Sequence, residues 1–287
     1  MPEIIDAHHH LWKYTPEDYP WITPHTSEMQ PLRQDFLPAD LMQVMDSAGV
    51  SGSVVVQARQ TLAETRWLLE LAEECPSIYG VIGWLPLTDP QLPSHLTSLA
   101  NSKKINGLRH VIQDEPDDNF ILRQDFNEGI AQLRDHGLTY DILIHERHLP
   151  QATEFVKRHP EQIFVLDHLA KPLIQKRILH PWSERLQRLA ESPNVYCKLS
   201  GLVTETDWTT WTLEDLRPYM DAALDAFGAE RLMAGSDWPV CLLASSYQRW
   251  WSTVREWLQG VSSAQRDLIL GETARRVYKL GGEAGLS

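Results

Sequence analysis

Eight short apolar runs, rich in β-branched residues, recur along the whole 287-residue chain, and amphipathic stretches separate most of them. The runs are Ile4–His8, Gly52–Gln57, Tyr79–Leu85, Gly107–Ile112, Tyr140–His145, Ile163–His168, Val195–Ser200 and Arg231–Ser236. Continuous apolar strands alternating with helices belong to a parallel sheet covered on both faces. Leu62–Cys75 and Ile121–His136 show the clearest three- and four-residue helical spacing, and Gly49, Gly137 and Gly228 follow amphipathic stretches as stop signals. Eight such units predict an α/β fold of the closed (β/α)8 type, a TIM barrel, more than an open sheet. No linker or internal repeat interrupts it, so one domain is expected over residues 1–287. No glycine-rich phosphate loop follows the first run, which weighs against a dinucleotide-binding fold.

The formal net charge of −13 disfavours nucleic acid or anionic membrane as the main partner. Cys75, Cys197 and Cys241 occur singly, without metal spacing, and read as reduced thiols. The chain opens without a basic stretch or an apolar signal core, and no apolar run approaches the ~20 residues of a membrane span. These features predict a cytoplasmic protein acting on a small molecule.

Polar residues gather where the predicted strands end. The first run is followed through His8 and His10, the second gives Gln57 and Arg59, and the fourth gives Arg109 and His110. The fifth ends in His145, the sixth in Asp167 and His168, the seventh in Lys198 and Ser200, and the eighth leads to Asp237. Barrel enzymes collect catalytic residues at the C-terminal ends of several strands. Alternation along an extended strand puts His8 and His10 on one face and His9 on the other. Two such imidazoles with a carboxylate from the far end of the chain suit a divalent metal or an activated water. A tag remnant is the bland alternative, and the apolar Ile4-Ile5 and Leu11-Trp12 on either side argue against it. Two connections are unusually long, residues 11–38 and 201–214, and both carry aromatics that would lie over the mouth.

Asp6–Trp12 (DAHHHLW), Leu166–Pro172 (LDHLAKP) and Gly235–Val240 (GSDWPV) stand in the order and separations of the amidohydrolase superfamily, which the chain resembles from Asp6 to about Pro239. The likeness is to the lactone-hydrolysing amidohydrolase 2 branch. Gly107–Asp117 (GLRHVIQDEPD) resembles its L-fuconolactonase and L-rhamnonolactonase type, related to the pyrone dicarboxylate hydrolases. Carried over, the resemblance implies that His8, His10, His168 and Asp237 are metal ligands or their remnants. It makes Asp237 the base that activates water, His168 part of the catalytic set, and Arg109 a substrate-orienting cation. The bridging lysine or glutamate of two-metal members has no counterpart here. One divalent ion is therefore expected, zinc first by its donors, or catalysis without metal.

The expected reaction is hydrolysis of a sugar-acid lactone in sugar catabolism, with Gln57, His110, His145 and Lys198 as further polar contacts and Trp12 and Trp208, with Trp21 and Trp211, as sugar platforms. Lys171 and Lys198 are candidate supporting cations. Acidic Asp114, Glu115, Asp117 and Asp118 favour a neutral polyhydroxylated ring. The alternatives are a carboxylated lactone of aromatic degradation, which Arg59, Arg109 and Arg147 would clamp, and a decarboxylase of the same superfamily. A catalytically dead barrel that binds a sugar acid is the non-enzymatic reading.

Overall fold

A computed structural model of the chain describes residues 3–23, 26–99 and 102–281. Every expected run overlaps a strand, to within two residues at its start: β1 Ile5–His9, β2 Gly52–Val56, β3 Ile78–Gly83, β4 Ile105–Val111, β5 Thr139–Leu143, β6 Phe164–Leu166, β7 Val195–Leu199 and β8 Leu232–Ala234. They pair in sequence order, all parallel. The ring closes just beyond β8, where Asp237 N donates to His8 O at 2.7 Å and His10 N donates to Trp238 O at 2.6 Å. This is the (β/α)8 barrel that the alternation of runs implies.

One helix follows each strand: α1 Pro38–Ala48, α2 Leu62–Glu74, α3 Leu92–Leu99, α4 Gln124–Leu133, α5 Leu149–Arg158, α6 Trp182–Ala190, α7 Leu213–Phe227 and α8 Tyr247–Trp257. Short helices α9 Ser263–Asp267 and α10 Thr273–Val277 come last. Outward strand residues such as Val55, Leu108, Ile142 and Leu166 join helix residues Leu68, Ile130, Phe155 and Leu186 in the main core. Inward residues Ile5, Val54, Val56, Val165 and Met233 form a second core, packed with Val277 and Tyr278 from the end of the chain. Gly49, Gly137 and Gly228 have φ of +66°, +67° and +66°, the left-handed stop the sequence suggests. The stretch expected as a helix over Ile121–His136 is broken up. Arg123 is extended (ψ 143°), so Phe120–Leu122 forms its own turn before α4. Arg123 pairs with Asp125 and lies over the Phe120 ring, contacts that hold the break.

The long connection after β1 is anchored. Trp12 bridges Phe36, its indole N–H donates to Gln34 O at 2.9 Å, and the rings of Tyr19, Trp21 and Phe36 surround it at 5.4–5.7 Å. Among the described residues no helix is long and apolar enough to cross a membrane.

Candidate active site

The two ends of the chain meet because a glycine lets them. A Cβ on Gly235 would sit 2.8 Å from His8 Cβ and 2.9 Å from His8 N, so any larger residue would push β1 and β8 apart. Ser236 then reaches Asp6, its backbone N donating at 2.8 Å and its hydroxyl at 2.6 Å, and the Tyr247 hydroxyl adds a bond at 3.0 Å. Burial pushes the Asp6 carboxyl up to about 6, although all these donors pull the other way.

Strand alternation alone does not account for the histidines. The β1–β2 register shifts between Asp6 and His9, a one-residue bulge. Ala7 packs inward with Val54 and Val56, yet His8 also reaches the interior groups Lys198 and Asp167. His9 points out and bonds Ser53 Oγ at 3.0 Å. The extra residue lets Ala7 and His8 both face inward and returns His10 to the same side.

His168 is delivered differently. His168, Leu169, Ala170 and Lys171 all have φ between 51° and 59°, a left-handed turn of four non-glycine residues. Each costs roughly 1–2 kcal/mol, the kind of strain that persists only where surroundings impose it. Trp182 holds the turn by donating to Leu169 O at 2.8 Å, and Lys171 N bonds His168 O at 2.8 Å. His168 Nδ1 lies 2.9 Å from Ser200 Oγ, and Gly201 leaves the space its ring needs.

The three carriers converge. Ligand atoms of His8, His168 and Asp237 all lie within 4.8 Å of one another. His10 Nδ1 is 2.8 Å from the Val56 carbonyl, which can only accept, so the proton sits on Nδ1 and Nε2 presents a lone pair. That lone pair faces His8 Nε2 at 3.2 Å and Asp237 Oδ1 at 3.3 Å. Asp237 Oδ1 has no hydrogen-bond partner among the described residues. Ligand atoms on a tetrahedral zinc at ~2.0–2.1 Å stand about 3.3 Å apart. Asp237 Oδ1 is also 3.7 Å from His8 Nε2 and 3.9 Å from His168 Nε2, so the donor set and its spacing fit a divalent ion. Burial lowers His8 well below the usual imidazole range and brings His168 to about 4, keeping lone pairs available. Burial pushes the Asp237 carboxyl up, but His168, His10 and Lys171 outweigh it, and the group stays ionised.

A charged layer lies beneath, inside the barrel. Lys198, fully buried, pairs with Asp141 and with Asp167 Oδ1 at 3.1 Å, and its ammonium is 3.2 Å from His8 Nδ1. Arg109 Nη1 bonds Asp167 Oδ2 at 3.0 Å, while Nη2 donates to the Gln57 carbonyl. The Tyr278 hydroxyl donates to Asp141 at 2.9 Å.

Above the cluster opens a cavity of about 160 Å³ floored by His10, Arg109, His168 and Asp237. Ala58, Val111, Leu143 and Val240 form its apolar wall, and Trp21, Gln113, Asp114 and Lys171 its polar rim. A larger surface groove of about 880 Å³ over Ser27–Gln34 has, among the described residues, neither a histidine nor a buried carboxylate in its lining. Chemistry, not size, locates the site.

The structure brings His10, His168, Asp237 and Arg109 to this cavity, with Trp21, Lys171 and Asp114 at its rim and His8 and Lys198 just below. Other expected contacts lie elsewhere. Trp12 is buried as the hub of its own loop. Trp208 donates to Thr204 O at 2.9 Å and lines a separate groove, and Trp211 is buried against Arg249. His110 is held by Trp84 at 3.2 Å and Glu115 at 2.6 Å, and stacks on Phe120. Gln57 serves Arg109 through its carbonyl. His145 starts the turn Glu146–His148, outside the cavity lining, with burial bringing it to about 4. Sequence reasoning left Asp141, Asp6, Tyr278 and Gln113 without roles. Asp141 carried a signal, a carboxylate inside an otherwise apolar strand, whereas Tyr278 carried none.

Residues 5–280 match the model of the amidohydrolase family. An L-fucono-1,5-lactonase of Burkholderia multivorans is 42% identical over 96% of this chain and 96% of its own length. An L-fucono-1,5-lactonase of Burkholderia ambifaria is 39% identical over 85% of this chain and 82% of its own length. The crystal structure of a Burkholderia multivorans amidohydrolase with bound zinc superposes with a TM-score of 0.93 at 43% identity, covering 97% of this chain and 99% of that one.

Proposed function

This chain belongs to the amidohydrolase family, and on that footing we propose that it is a lactonase opening the ring ester of a six-carbon sugar-acid lactone of the L-fucono, L-galactono or L-rhamnono type to the aldonic acid. The observation that carries the reading is Asp237 Oδ1: ionised, free of hydrogen bonds among the described residues, and set with His10 and His168 in the lining of a cavity sized for one small ring. A water there loses its proton to Asp237 as it attacks the ester carbonyl. Arg109 and Lys171 face the same space and place positive charge where the oxyanion develops. Asp237 then returns the proton to the departing ring oxygen. A divalent ion held by His8, His10, His168 and Asp237, with zinc favoured by these donors and by the zinc-bound relative, would supply Lewis acidity to water or carbonyl.

A neutral substrate fits because an arginine clamp is not assembled here: Arg59, paired with Asp18, and Arg147, paired with Asp118, lie outside the cavity lining, which leaves Arg109, itself paired with Asp167, as the guanidinium in it. Comparing kcat/KM across neutral aldonolactones and pyrone or muconolactone carboxylates, by a pH-indicator assay, tests this. Neutral sugar lactones should lead by tenfold or more. A lead for the carboxylated rings, or CO2 release from an aromatic acid, would overturn the reading.

A further inference from the structure

Two groups on the rim are buried and unpaired in a way that the hydrolytic machinery does not use. Trp21 Nε1 and Gln113 Oε1 are each shielded from solvent, and neither has a hydrogen-bond partner among the described residues. Both residues line the cavity above Asp237. They arrive from different parts of the fold: Trp21 from the anchored connection after β1, Gln113 from the turn Ile112–Asp114 that follows β4. A buried donor or acceptor left without a partner costs about 1–3 kcal/mol, so two on residues that line one cavity call for a reason. An indole N–H can only donate, and a side-chain carbonyl oxygen only accepts. A hydroxyl group does both. The apolar part of the lining, Ala58, Val111, Leu143 and Val240, offers no hydrogen bonds through its side chains, so beyond the reacting groups on the floor a ring entering here meets polar recognition at the rim.

We propose that Trp21 Nε1–H and Gln113 Oε1 are the specificity-determining pair for the hydroxyl groups of the substrate ring, the indole donating to one hydroxyl oxygen and the amide accepting a hydroxyl hydrogen. This rests on the lactonase reading above and deepens it. It also changes the part Trp21 plays: its edge, not its face, meets the sugar. A site built around such contacts rejects the analogue that lacks the hydroxyls, because its buried polar atoms then stay unpaired. The acidic Asp114, exposed beside Gln113, adds an acceptor at the entrance.

The test reads a ratio of kcat/KM values, for a six-carbon 1,5-aldonolactone over δ-valerolactone, the same ring without hydroxyls. The wild-type chain is compared with Trp21→Phe, which deletes the N–H, with Gln113→Met, close in shape but without the amide, and with Gln113→Glu, which keeps an acceptor. Each of the first two should lower the ratio by about tenfold or more, chiefly through a higher KM for the aldonolactone, and Gln113→Glu should hold it closer to wild type. Because each variant is read on two substrates, partial misfolding cancels from the ratio. If the wild type prefers the aldonolactone and both deletions keep the wild-type ratio, the pair does not read hydroxyls and the inference falls while the lactonase reading stands. If the wild type opens δ-valerolactone but no aldonolactone, the substrate reading falls and takes the inference with it.

Discussion

The barrel interior holds two polar layers, each with buried aspartates, and they differ in how their charges are settled. In the lower layer Lys198 faces Asp141 and Asp167, Arg109 faces Asp167, and Tyr278 caps Asp141. Positive and negative charges there are matched within the protein, and Lys198, His8 and Arg109 hold Asp167 well below the usual carboxylate range against the opposing pull of burial. In the upper layer three imidazoles and Asp237 present acceptors to one another, and Asp237 Oδ1 is left without a donor. Hydrogen bonding is incomplete in both layers, since Asp141 Oδ1 and Arg109 Nε also lack a partner among the described residues. The difference is charge: the lower layer pairs its carboxylates with Lys198 and Arg109, while the upper sets Asp237 and neutral imidazoles against a cavity, where a ligand belongs. The lower layer also steers the upper: Lys198 and Asp167 both touch His8 Nδ1, fixing which face of that ring looks into the cavity.

The largest effect should come from breaking the upper layer. Asp237→Asn is nearly isosteric but cannot take a proton from water, so aldonolactone hydrolysis should fall by about 10²–10⁴-fold. Zinc retained on dialysis, read by elemental analysis, should fall with it. Stability should not fall, because the Asn amide brings a donor to a cluster that lacks one. Urea denaturation checks that half. Near-wild-type turnover would move the base elsewhere, with His168 the next candidate in the lining. A large loss of stability would mean that the upper layer, like the lower, is structural.

The lower layer should respond the opposite way. Lys198→Met fills a similar volume and leaves Asp141 without a cation and Asp167 with Arg109 alone. Removing one partner of a buried ion pair typically costs about 3–5 kcal/mol, and that loss should appear in the urea midpoint. Adding Asp141→Asn to that variant should recover part of it, since the stranded carboxylate is then neutral. If the double variant is no more stable than the single, the contrast between the layers is not one of charge compensation.

How far these layers could be read in advance followed the range of the interactions that make them. Strand and helix positions follow local patterns, and β1 to β8 lie where apolar runs predicted them. His8, His10, His168 and Asp237 were legible because barrel topology sends every strand end to one mouth. The β1 bulge was not: it depends on the register against β2, which no residue of the His-His-His run announces. The left-handed turn at His168–Lys171 was equally hidden, since it uses four residues that individually avoid that conformation and relies on Trp182 from the next helix. Trp12 and Trp208 were misplaced for a related reason. Composition says that a loop carries aromatics, but only packing decides whether they face substrate or one another.

Glu64 sharpens the comparison with the smallest expected effect. It sits in the first turn of α2, buried, and its carboxylate accepts from the backbone N–H groups of Ala58 at 3.1 Å and Arg59 at 2.9 Å. Burial pushes it up to about 7 despite those bonds and the nearby Arg59 and Arg109 charges, whereas Asp167 with direct cation partners is driven down. If compensating charge is what separates the two carboxylates, Glu64 must carry a pH signature. Below about 4.5 both folded and unfolded chains hold the proton and the group costs nothing. Between about 4.5 and 7 the unfolded chain releases its proton while the folded chain keeps it, so this group's contribution to stability falls as pH rises. Above about 7 the loss is complete. Glu64→Gln removes the titration and keeps an acceptor for both amides. The stability of the variant relative to wild type should therefore climb between pH 4.5 and 8, by on the order of 3 kcal/mol given about 1.4 kcal/mol for each pKa unit. The absolute offset between the two proteins does not matter, only its slope with pH. A flat difference across that range would mean that two backbone amides compensate a buried carboxylate as well as Lys198 and Arg109 do, and the distinction drawn between the layers would lose its electrostatic basis.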